Sequence, residues 1–122
     1  MRPMKIFYSR IIPFKGFRAI TLFNVIFVRK EYEGTSLKTM YTHESIHQKQ
    51  AYDFGIGFCG YFIFYIWYLL EWLLKVPSAL FGYRPYYSIS FEQEAIVNDK
   101  NPDYPSNRKR FCWIKNVFKL VK

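Results

Sequence analysis

The sequence predicts an α+β fold: a short β-strand pair at the N-terminus, then a helix bearing His43, Glu44 and His47, a long apolar helix and a glutamate-bearing helix. Three observations predict it. Two stretches rich in β-branched and aromatic residues fill most of residues 4–28. Residues 37–53 contain neither Gly nor Pro and hold both histidines of the chain four positions apart, and residues 54–70 carry no charge. A chain of 122 residues suits one domain, 1–122, with one modest hydrophobic core.

The elements follow in order. Met4 to Ile12 mixes Ile6, Phe7, Tyr8, Ile11 and Ile12 with Lys5 and Arg10 before Pro13 breaks it, which fits a short strand. Arg18 to Val28 is read as the main strand, paired with the first. Thr35 or Ser36 then offers an N-cap for a helix from Leu37 to Asp53, with His43 and His47 on one face. The apolar run extends from Phe54 to Leu74, interrupted only by Glu71, and Pro77 and Gly82 end it. Tyr83 to Tyr87 reads as an aromatic loop, whose expected role is packing, the alternative being a phenol that stabilises an oxyanion. Ser90 and Gln93 are spaced as a capping box that opens a helix to about Asp99. Asn101-Pro102-Asp103 and Pro105-Ser106-Asn107 mark turns. Arg108 to Lys122 is a basic, aromatic tail with mostly helical spacing.

Composition narrows the function classes. Apolar residues make up 51% of the chain and aromatics 22%, so disorder is excluded. Lysine and arginine exceed aspartate and glutamate by 18 to 9, and the net charge of +9 favours anionic partners. Nucleic acid is the weakest of these, because no motif beyond charge supports it. Cys59 and Cys112 are too sparse for a disulfide framework and read as free thiols in a reducing compartment. Without a signal-peptide pattern in residues 1–10, the expected location is cytoplasmic, with peripheral placement at the inner membrane surface as its membrane-associated form.

His43-Glu44-Ser45-Ile46-His47 is an HExxH sequence. Imidazoles at i and i+4 on a helix point to one side at a separation that suits one Zn2+ ion. Glu44, beside the first histidine, is placed to act as general base on the attacking water and not as a ligand. A catalytic zinc needs a third protein ligand, and with no third histidine that ligand is expected to be a carboxylate. Glu92 and Glu94 both stand in the next predicted helix; being two apart, they point to different faces.

An HExxH helix followed by a glutamate-bearing helix resembles the gluzincin metallopeptidases, and the shortness of the chain resembles their minimal single-domain members, the minigluzincins. Membrane-embedded gluzincins place the ligand glutamate three residues before an alanine. Glu92 and Ala95 match, so the resemblance implies His43, His47 and Glu92 as metal ligands, Glu44 as the catalytic base and Zn2+ as cofactor. Where those families continue with aspartate this chain has Ile96, and Asp99 is the substitute as outer carboxylate. Gln50 completes an HExxHxxQ pattern found in some small relatives. The resemblance covers residues 37–99.

A helix crossing a bilayer once across residues 54–74 would leave the histidines and Glu92 on opposite sides, because residues 75–91 hold no returning apolar segment. Either Glu92 is not a ligand, or the run stays on one side as a buried helix, an interfacial helix or a hairpin bent at its glycines; the favoured expectation is a helix that packs partly under the metal site and exposes aromatic surface. The exposed side would meet an anionic membrane surface, through the basic tail and Trp67, Trp72 and Trp113, or a second copy in a homodimer. The leading expectation is a zinc metallopeptidase whose peptide or protein substrate pairs with the edge of the Arg18 to Val28 strand. The other is a non-enzymatic membrane-associated protein with a vestigial metal site.

Overall fold

The computed structural model describes residues 4–12, 19–34, 37–55 and 57–122, and these form a mixed α+β structure with a three-stranded sheet ahead of the helices. β1 (Lys5–Ser9) runs parallel to β3 (Val25–Arg29), and β2 (Ala19–Leu22) pairs antiparallel with the other side of β3. The order is β1-β3-β2, which makes β2 an outer strand. The single strand expected over residues 18–28 is thus a hairpin. Its turn is Phe23-Asn24, with φ of 49° and 69°, the left-handed pair of a type I′ connection. Asn tolerates that region; Phe23 does not, and its ring gains a stacked partner in Phe58, with centroids 5.2 Å apart. Pro13, Arg18 and the expected N-caps Thr35 and Ser36 lie outside the described residues.

Helix α1 (Lys38–Asp53) packs Met40 against Ile26, Val28 and Met4 of the sheet region. On its other sides it buries polar residues: Glu44, His47, Gln48, Gln50 and Asp53. Asn24 supplies one set of partners. Its Oδ1 accepts from Gln48 Nε2 at 2.8 Å, Tyr52 Oη at 2.9 Å and Tyr61 Oη at 2.7 Å, and so ties the hairpin to both long helices.

Helix α2 (Phe58–Lys75) is continuous, with no bend at a glycine, and runs on into a 3-10 turn, Val76–Phe81. It is the one described helix long and apolar enough to cross a membrane. It crosses α1 closely at Gly60, where a Cβ would stand 1.9 Å from the Gly55 carbonyl oxygen and 2.7 Å from that of Ala51. Gly60, Tyr61, Phe64, Glu71 and Lys75 are buried. Phe62, Ile63, Ile66, Leu69, Leu70, Leu73 and Leu74 are exposed.

Pro85–Ser88, expected as part of a loop, is a one-turn helix, α3. Helix α4 (Ser90–Asn98) begins without the expected capping box. Ser90 donates both its N–H and its hydroxyl to the Glu71 carboxylate at 2.6 Å, and Gln93 reaches the Tyr87 carbonyl instead of the helix start. Residues 105–107, expected as a turn, lie within α5 (Tyr104–Asn107). The tail holds a 3-10 turn at Cys112–Asn116 rather than a helix. Trp113, 1% exposed, fixes it in a core with Ala51, Tyr61, Phe64, Ile89 and Phe91. Both cysteines are free thiols.

Arg108 locks the tail to the helices. Its guanidinium spans Asp53 (Nη1 to Oδ1 3.0 Å, Nη2 to Oδ2 2.9 Å) and Glu94 (Nη2 to Oε1 2.9 Å), and all three side chains are buried. Burial raises the Glu94 carboxyl, but the hydrogen bonds from Arg108 and its neighbours outweigh burial and hold it below its ordinary 4.5. A depressed folded value stabilises above the unfolded one and is lost as pH falls through the folded value. Arg108→Ala should cost about 3–5 kcal/mol in urea unfolding, because two buried carboxylates lose their cation. The variant should also lose the stability that the wild type gains from Glu94 as pH rises above the acid range. Asn24→Ala removes the shared acceptor and a residue suited to positive φ, and should cost about 2–3 kcal/mol; Asn24→Gly restores only the backbone share.

Candidate metal centre

One turn of α1 separates His43 from His47, so the two rings share a face and meet edge to face with centroids 4.8 Å apart. His43, Glu44 and His47 offer donor atoms that all lie within 4.8 Å of one another, a group able to hold a metal ion. Glu92, on the first turn of α4, comes against the same face. Its Oε1 stands 3.0 Å from His43 Nε2 and 3.2 Å from His47 Nε2, and the two Nε2 atoms are 3.2 Å apart.

The outer atoms of each group are occupied. His43 Nδ1 lies 3.0 Å from Asp99 Oδ2, and His47 Nδ1 lies 2.8 Å from Gln50 Oε1. Both oxygens only accept. Gln50 is oriented by its own amide, which donates to the Phe91 carbonyl at 2.9 Å and to Glu94 Oε1 at 3.0 Å. Each Nδ1 is therefore the protonated nitrogen, and each neutral ring turns its Nε2 lone pair inward. The second oxygen of Glu92 accepts the Tyr68 hydroxyl at 2.6 Å. Three electron-rich atoms thus converge with no hydrogen among them in the neutral-imidazole state, an arrangement that requires a cation or added protons.

With protons as the only cations, the shifts take the expected directions. Burial lowers His47, but the charge and hydrogen bond of Glu92, with Glu44 and Gln50, together outweigh burial and raise it to about 10. Burial and the neighbouring His47 lower His43, but its hydrogen bond to Glu92 and the charges of Glu92 and Glu44 raise it overall. Burial raises Glu92, yet the two imidazoles hold it well below the carboxylate range. Glu44 goes the other way: burial dominates and raises its carboxyl.

Glu44, His47 and Glu92 lie on the wall of a cavity of about 670 Å³ whose remaining lining is largely apolar, with Ile20 and Thr21 of β2 on one side and Phe64, Leu69 and Trp72 of α2 on the other. The outer strand beside the site is Ala19–Leu22 alone, so the edge expected along residues 18–28 narrows to these four. Tyr65 Oη already bonds the Thr21 carbonyl at 2.9 Å. Glu94, on a different face of α4 from Glu92, is buried on Arg108, Gln50 and Tyr104, away from the imidazoles.

One site residue escaped the sequence reading, Tyr68, whose hydroxyl binds Glu92. Tyr86, from the aromatic cluster of residues 83–87, lines the cavity with its phenol raised by burial and by the Glu92 charge. The signal for Tyr68 was present. Tyr61, Phe64, Tyr68, Glu71 and Lys75 recur at steps of three and four, so the polar tips inside the apolar run share one stripe. No family model matches the chain, and neither a curated protein nor a solved structure does.

Proposed function

We propose that this protein is a zinc-dependent peptide hydrolase in which His43, His47 and Glu92 hold the metal and Glu44 is the catalytic base. The observation that carries this reading is the triangle of His43 Nε2, His47 Nε2 and Glu92 Oε1, with sides of 3.0–3.2 Å. Tetrahedral ligands bound at about 2.0–2.1 Å would stand about 3.3 Å apart, so the three atoms need to separate only slightly to take one ion. Two neutral nitrogens and one carboxylate are a donor set that suits zinc and leaves a fourth position open toward the cavity.

Bound there, the metal would polarise the scissile carbonyl and make water more acidic. The chain's own groups do the rest. Asp99 and Gln50 hold the imidazoles by Nδ1, and Tyr68 holds the free oxygen of Glu92, so the donors are set before a ligand arrives. Glu44 takes the proton of the attacking water and returns it to the leaving amine; its burial-raised carboxyl is suited to both steps. Its apolar surroundings keep bulk water from competing. The outer strand β2 supports an extended peptide as substrate, since it borders the cavity and, among the described strands, pairs with β3 alone, although Tyr65 Oη already takes its Thr21 carbonyl.

Purified protein reconstituted with zinc should bind close to one ion per chain by elemental analysis. Glu44→Gln should keep that ion while cleavage of a fluorogenic peptide mixture falls about 10²- to 10⁴-fold, the range for loss of a general base. Asp99→Asn and Gln50→Ala should weaken zinc about 10- to 100-fold without removing a ligand. Protein that stays empty after reconstitution would reject the site, and Glu44→Gln with full activity would reject the mechanism.

A second consequence concerns protons. The metal-free site holds a proton on His47 up to about pH 10, and the metal requires the ring neutral. Zinc loading at pH 8 should therefore release protons, read in calorimetry as a heat that scales with buffer ionisation enthalpy. Apparent affinity should rise as pH rises from 6 to 9.

A further inference from the structure

The two charged residues of α2 point into the protein, and most of its aliphatic residues point out. Glu71 and Lys75 are buried and paired at 2.8 Å, and Glu71 also binds Ser90. At 100° per residue, Phe58, Phe62, Ile63, Ile66, Leu69, Leu70, Leu73 and Leu74 occupy a single arc covering roughly half the helix circumference, and Trp67 and Trp72 sit at its two borders. No side chain in that arc carries a charge, over an 18-residue helix about 27 Å long. Leu80 and Phe81, 86% and 74% exposed, extend it.

A basic strip runs beside this arc. Trp113 packs on Trp67 with ring centroids 5.1 Å apart, and the Asn116 carbonyl accepts from Lys75 Nζ at 3.4 Å, so the tail follows α2 along its Trp67 border. It then turns back to Arg84, whose N–H bonds the Val121 carbonyl at 2.6 Å, and Lys122 stands 5.1 Å from the Tyr83 ring. Arg84, Lys115, Lys119 and Lys122 are exposed along this path together with Ile114, Phe118 and Leu120, and residues 104–122 contain no acidic residue.

We propose that the outer arc of α2 and the basic tail form one surface that docks in the plane of an anionic phospholipid bilayer. Lipid fits both halves of this surface: acyl chains cover an arc whose one polar group, the exposed Cys59 thiol, is only a weak donor, and anionic headgroups meet the cations at its border. A second copy would cover the arc but add a second chain that also carries a net charge of +9. The helix lies along the membrane and does not cross it, because both its ends are fastened to the same polar body, Tyr61 to Asn24 at one end and Lys75 to the Ser88 carbonyl at the other. The docking surface shares Leu69 and Trp72 with the wall of the cavity but contains none of the residues proposed to hold the metal, and it does not depend on hydrolysis.

Vesicle flotation of the full chain tests this. Vesicles of equal parts phosphatidylcholine and phosphatidylglycerol should carry the protein at low salt, and pure phosphatidylcholine should carry much less. Lys115→Gln, Lys119→Gln and Lys122→Gln should each lower binding to the anionic vesicles about fivefold. Ile66→Glu with Leu70→Glu should abolish flotation while circular dichroism and the melting temperature stay as in the wild type, since both positions are exposed. His43→Ala should float normally, which separates this surface from the metal site. The proposal is overturned if the wild type stays unbound to anionic vesicles, or if flotation ignores headgroup charge. It is equally overturned if light scattering without lipid shows a dimer that Ile66→Glu with Leu70→Glu converts to monomer.

Discussion

A helix face that carries Glu44, His47, Gln48, Gln50 and Asp53 into the interior must be met by partners, because each buried polar group left unpaired costs about 1–3 kcal/mol. That requirement on α1 organises the molecule. The hairpin contributes Asn24 for Gln48, α4 contributes Glu92 for the histidines and Glu94 for Gln50, and the tail contributes Arg108 for Asp53. Apolar packing alone would let these elements slide against α1. The directed bonds fix where each one stops.

The exposed apolar surface follows from the same requirement. Helix α2 is needed inside for its polar tips: Tyr61 on Asn24, Tyr68 on Glu92 and Glu71 on the start of α4. Turning that stripe inward leaves Ile66, Leu70 and Leu73 outside, since a helix cannot present both faces to one neighbour. In water such an arc is unfavourable at about 25 cal/mol per Å². Its place in the fold is therefore set by what its opposite face supplies to the site.

What could be read from the sequence depended on the range of the interaction. His43, Glu44 and His47 are local, four residues of one helix, and their convergence follows from helical geometry alone. Glu92 lies forty-five or more positions away, and spacing left it level with Glu94; the resemblance to gluzincins, not periodicity, distinguished them. The α+β order and the α1 and α2 helices were legible because their patterns are long. The Phe23-Asn24 turn was not, because it lacks the glycine that usually announces a type I′ turn and is held by partners on α1 and α2. The capping box failed for a similar reason: the Ser90 hydroxyl had a stronger, charged acceptor in Glu71. In the tail, Trp113 and Arg108 bind sites fixed by the rest of the fold, so helical spacing did not decide its shape.

Tyr68 joins the two halves of the molecule. Its ring belongs to α2, and its hydroxyl holds the oxygen of Glu92 that faces away from the imidazoles. Because α2 is fastened at both ends, that hydroxyl has a fixed position, and so does the carboxylate it orients. The cavity beside Glu92 is bordered by Leu69 and Trp72, which belong to the same exposed helix surface. The buried acceptors, the inverted helix and the apolar mouth of the cavity are three results of one choice, which is to keep the polar face of α1 inside.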